Sequence, residues 1–173
     1  MRKLIAPIAV ILLFTSYLHA SDDREPLTIE MSDPKVRITI PGMPKMDMAV
    51  HPMNEQKPNF RLHGNNGKTS VSIITPEIAE ANTPMTCATT IANTILAQDG
   101  VSRDQVFLGR ANEQTFLIIY GLPMERSVLL NTHIISAAET TGCIEAHVSR
   151  ISTSDSDIAP WFNEFGDSNI EKL

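Results

Sequence analysis

The sequence predicts an α+β protein, an antiparallel sheet of about six strands between helices (an α/β/α sandwich) locked by one disulfide. Three observations carry this. Short runs downstream of residue 35 alternate apolar and polar residues, as half-buried strands require. Between Thr83 and Gly100 the apolar residues recur instead at helical spacing. Finally, Cys87 and Cys143 are the only cysteines, an even pair that reads as a bridge in an oxidising compartment.

The elements follow in order. Arg2 and Lys3 precede an apolar run from Leu4 to Leu18 and a small residue, Ala20, the pattern of a secretory signal peptide over 1–20 with cleavage after Ala20. A run of about 15 residues containing Pro7 is short for a bilayer span, so no stable membrane anchor is expected after cleavage. No cysteine follows the run to carry a lipid. Residues 21–34 are acidic and polar and read as a flexible N-terminal segment. A single globular α+β domain is expected over 35–173.

Within it, Val36, Ile38 and Ile40 alternate with Arg37 and Thr39 as a strand that Pro41 stops. Five prolines from Pro34 to Pro58 keep helix out of the methionine-rich stretch that follows. "NFRLHGNNGKTSVSII" reads as a hairpin, with Gly64 to Gly67 supplying residues tolerant of positive φ, and His63 outward. Thr83 suits the cap of the helix, Pro84 its first position and Gly100 a left-handed stop. Cys87 falls in its first turn, beside the apolar face carrying Ala88, Ile91, Ala92, Ile95 and Leu96.

"DQVFLG" is a short strand, and "TFLIIY", apolar on both faces, one covered on each side. "SVLLNTHIISAA" and "CIEAHVSRI" form a second hairpin. A three-residue loop over Thr140–Gly142 sets Ala138 against Ile144, Ser136 against Ala146 and Ile134 against Val148. A short closing helix, capped by Ser156 or Asp157, tolerates Pro160 in its first turn. Trp161, Phe162 and Phe165 would bury that end.

"NFRLHGNNGKTSVSII", "PMTCATTIANTILAQDG" and "TFLIIYGLP", in this order, resemble the PsbP-like fold family, small exported or accessory proteins in which an antiparallel sheet lies between helices. The resemblance covers Val36 to Leu173 by element order and carries over no functional residue. It implies a non-enzymatic binding or assembly role.

Charge narrows the partners. Removing the leader leaves 12 basic residues against 20 acidic, a net of −8 on 153 residues. Such a surface repels phosphate backbones and suits a basic protein, so no nucleic acid is expected. The lack of an Asn-x-Ser/Thr sequon favours a bacterial periplasm over a eukaryotic secretory route.

Two clusters carry candidate chemistry. Met43, Met46, Met48, His51 and Met53 are soft ligands of the types copper(I) or silver prefers. They equally suit an adaptable contact with a protein partner, or packing beside the sheet. On an extended chain Met46 and Met48 point one way and Met43, His51 and Met53 the other, so a shared ion needs a bend at Pro44 or Pro52. His133, Glu145 and His147 form the second cluster. They share a face in the register above, the histidines diagonal to each other, and offer two imidazoles and a carboxylate to zinc or copper.

No nucleophile elbow, HExxH, P-loop or dinucleotide glycine pattern is present, and Asp99, Asp104 and Glu113 lie by turns as solvated or capping groups. The sequence therefore points to a periplasmic or secreted non-enzymatic protein that binds a protein partner, such as an inhibitor, an immunity protein or an envelope assembly factor, and needs no cofactor. The alternatives are a copper-binding protein using the methionine segment and a hydrolase built from residues distant in sequence.

Overall fold

The computed structural model describes residues 25–43, 46–50, 59–78, 83–138, 142–152 and 159–173. The expected leader lies outside them, as do His51, Met53 and the expected cap at Ser156 or Asp157.

Alternation begins earlier than expected. Leu27, Ile29 and Met31 occupy every second place, and Leu27–Ser32 forms strand β1, paired antiparallel with β2 (Lys35–Ile40) across Asp33–Pro34, whose peptide bond is cis. The segment 21–34, expected to be loose, thus carries a strand. Its polar residues Thr28, Glu30 and Ser32 are the outward half of the pleat, while Leu27 and Ile29 are buried. The chain continues through β3 (Ala49–Val50), β4 (Phe60–Asn65), β5 (Thr69–Ile74), helix α1 (Pro84–Leu96), β6 (Val106–Arg110), β7 (Phe116–Met124), β8 (Ser127–Ala138), β9 (Gly142–Ser152), helix α2 (Ala159–Phe165) and β10 (Asn169–Lys172).

These strands make two antiparallel sheets, one ordered β1-β2-β10 and a larger one ordered β3-β4-β5-β9-β8-β7-β6. One face of the larger sheet receives α1, whose Cys87, Ala88, Ile91, Ala92 and Ile95 meet Phe116, Ile118, Tyr120, Ile135 and Cys143. The other receives the small sheet, so that Ile38, Ile40 and Ile170 pack with Leu117, Ile119, Ile134, Ile144 and Val148. Trp161 and Phe165 of the seven-residue α2 join that second core.

The expected single sheet between helices is therefore corrected. The described chain is mostly β, with two sheets and one long helix. A two-faced apolar sheet requires only that both faces be covered, and here the second cover is another sheet. The strand read at Val36–Ile40 belongs to that cover rather than to the main sheet.

The helix starts as the sequence expects. Thr83 caps it, its Oγ1 accepting from Thr86 N at 3.2 Å while Thr86 Oγ1 accepts from Thr83 N at 3.2 Å, and Pro84 opens the first turn. It ends at Leu96 with Ala97 as its C-cap, before Gly100, which nonetheless adopts φ +83°. The expected disulfide joins Cys87 to Cys143, Cα atoms 5.6 Å apart, tying the first turn of α1 to the start of β9. Such bridges persist in oxidising compartments, and no described helix is long and apolar enough to cross a membrane.

The β8–β9 register differs from expectation by two residues. Ala138 pairs with Gly142, Ile134 with Ala146 and His133 with His147. Gly142, at φ +83°, opens the strand instead of closing the loop. Apolar alternation fixes which face a residue occupies, and a two-residue shift preserves every face. The pattern could not distinguish the two registers.

Candidate functional site

The α1 side of the large sheet carries a polar row beside the helix. Alternation on β8 sends Asn131, His133 and Ile135 to this face, and on β9 Cys143, Glu145, His147 and Ser149. Ile135 and Cys143 lie in the core under α1. One pair further along, the apolar cover gives way to histidine. The two imidazoles stack face to face, centroids 4.2 Å apart and planes 9° apart, and Tyr120 of β7 stacks on the other side of His133 at 5.6 Å and 14°. His133 is thus the middle ring of three.

Each ring is held differently. His133 Nδ1 lies 2.6 Å from Glu145 Oε1, both side chains buried. Its Nε2 is buried with no hydrogen-bond partner among the described residues. His147 is partly buried. Its Nε2 lies 3.1 Å from Asn131 Oδ1 and 3.1 Å from Ser149 Oγ, and Ser149 Oγ donates to the same Asn131 oxygen at 2.8 Å. Two strands away on this face, His63 Nδ1 meets Ser72 Oγ at 3.0 Å. His63 is therefore a partly buried member of the row rather than a free outward histidine.

Electrostatics follow from enclosure and stacking. Burial, and then the charge of His133, lower the His147 pKa to about 4 against the opposing pull of Glu145. Burial pushes Glu145 upward, but the hydrogen bond from His133 and the charges of both histidines outweigh it and leave the carboxyl below its ordinary value. Burial, then the Glu145 charge, raises the Tyr120 phenol.

This arrangement favours proton holding or metal capture over nucleophilic catalysis. Ser149 gives its proton to Asn131, and the His147 nitrogen it approaches faces that same acceptor, so neither is set to activate the other. The donor atoms of His133, Glu145 and His147 lie within 4.8 Å of one another. Sequence reasoning placed these three on one face. It missed Asn131, Ser149 and Tyr120, whose only signal is period-two spacing from the histidines or on the neighbouring strand.

The methionine segment is arranged differently. Met43 and Met46 are buried in the core between the sheets, and Met48 packs partly buried against it. Met46 and Met48 converge on Gly64 of β4, where an added Cβ would lie 3.1 Å and 2.5 Å from their sulfurs. Of the three placements weighed for these residues, core packing is the one observed for Met43 and Met46. Asp104, expected to serve a turn, accepts from Ser102 Oγ beside the 3-10 turn Arg103–Gln105.

The edges of the large sheet also differ. The β3 edge is two residues long. The β6 edge is five, and its Phe107 and Leu108 are 41% and 45% exposed. Phe107 rests edge-on against Phe162 of α2, centroids 5.0 Å apart. Sheet edges are ordinarily blunted by charge, proline or brevity, and the middle of β6 has none of these.

No family model matches the chain, and no curated protein matches it either.

Proposed function

We propose that this is an exported, disulfide-locked, non-enzymatic protein that works in the periplasm by binding a protein partner, and that the partner contributes an extended segment to the β6 edge. The carrying observation is that edge. It is a five-residue strand at the end of a seven-stranded sheet, with apolar side chains exposed on both faces. Strand addition draws affinity from main-chain hydrogen bonds and selectivity from alternate side chains, and β6 offers both. An acidic chain adds a preference for a basic partner. The methionine segment has a supporting role in this reading, because Met43 and Met46 fill the core behind the sheet.

The test is site-specific photo-crosslinking in periplasmic extract, with the crosslinker at Leu108 or, as control, at Val50, which is 78% exposed on the opposite edge. We expect a discrete adduct from Leu108 that is lost when Phe107→Lys is added, and none from Val50. Equal labelling from both positions, or none, would overturn the edge reading. An adduct of twice the chain mass would make the partner a second copy.

A further inference from the structure

We propose that His133 and His147 are the ligands of a buried transition-metal site, oriented by Glu145, that takes a first-row divalent ion with a preference for imidazole. This inference stands on the polar row and is independent of the β6 edge.

His133 Nδ1 is committed to Glu145 at 2.6 Å, leaving Nε2 as the ring's remaining position. That atom is enclosed and has no hydrogen-bond partner among the described residues. Leaving a buried polar atom unsatisfied is unfavourable, and such an atom persists where something outside the chain completes it. A carboxylate holding one imidazole nitrogen while the other faces an open position is the outer-shell arrangement of histidine metal ligands, since it fixes the tautomer and makes the ring more basic. An ion arriving at Nε2 displaces any proton carried there.

The second ligand has to move. A metal bond lies in the plane of its imidazole, and rings only 9° from parallel at 4.2 Å do not aim at one point. His147 is the ring free to turn: it is partly buried, and hydrogen bonds to Asn131 and Ser149 hold it. The enclosed His133 is gripped by a carboxylate. The site therefore assembles on binding, with the histidine stack opening as the ion enters. Two nitrogen ligands with a carboxylate nearby suit zinc(II) and copper(II) better than magnesium or calcium.

The experiment uses the leaderless, disulfide-bonded chain with histidines labelled with nitrogen-15, titrated with zinc(II) alone and then copper(II) alone at neutral pH. Calorimetry should give one ion per chain at micromolar affinity or tighter. With zinc, the ring nitrogens of His133 and His147 should shift together, and the ring-current signature of their stack should disappear. Glu145→Gln should weaken binding roughly 10–100-fold, and His133→Gln should abolish it with the circular dichroism of the fold retained. If His133→Gln unfolds the chain, the wild-type nitrogen shifts decide alone. Shifts confined to His51 or His63, binding insensitive to Glu145→Gln, or no binding at micromolar metal would each overturn the proposal, the last leaving a trapped water as the partner of His133 Nε2.

Discussion

His147 sits against a second imidazole in a mostly enclosed place, and charging it there is unfavourable. Its pKa of about 4 against an ordinary 6.5 means that between those values the unfolded chain binds a proton the folded chain refuses. Stability therefore rises with pH across that window and is lost as pH falls through it. Glu145 acts in the same direction, because a depressed carboxyl adds stability that is present above its unfolded value and lost as pH drops through its folded one. The unfolding free energy from urea titrations should fall steadily from neutral pH toward 4, by up to about 3 kcal/mol from His147 alone. His147→Asn should flatten that slope, and an unchanged slope would assign the acid sensitivity elsewhere. At this scale the sequence was informative about faces and silent about contacts. Spacing placed His133, Glu145 and His147 together, but only the true register sets one ring directly opposite the other.

Elements defined by neighbouring residues were the legible ones. Helix α1 declares itself through Thr83, Pro84 and an apolar stripe, and Thr83→Ala should lower stability by about 1 kcal/mol, measured by urea unfolding. The β4–β5 hairpin likewise follows from its asparagines and glycines, with the Asn66 side chain accepting from the backbone of Lys68 and Thr69. β10 is the opposite case. Its four residues bury a single large side chain, Ile170, and it is a strand because β2 lies alongside it. No local pattern distinguishes such a segment from a tail. Gly64 also gains its meaning only in three dimensions, where Met48 Sδ, Asp47 O and Met46 Sδ crowd the space a Cβ would take, at 2.5, 3.0 and 3.1 Å. Gly64→Ala should therefore destabilise by about 1–3 kcal/mol in thermal unfolding. Adding Met48→Ala should recover part of the loss, since it removes the nearest atom.

Across the whole molecule, one sheet separates two cores, and the disulfide ties the helical cover to the strand carrying Glu145 and His147. Replacing Cys87 and Cys143 together by alanine should cost about 2–4 kcal/mol by equilibrium denaturation. The loss should fall first on hydrogen-exchange protection along α1. The bridge was readable because only two cysteines exist, whereas the two-sheet architecture was not, because which layer covers a sheet face is decided by residues far apart. Arg37 shows this. It holds Glu30 of β1 and, 134 positions away, Glu171 of β10, at 2.8 and 2.7 Å. The ion pairs are exposed and add little energy, but the pairing they mark closes the second layer. A polypeptide that becomes available from its amino end cannot complete that layer until residue 172 has emerged. However early β1 and β2 pair, closure of the small sheet waits on β10.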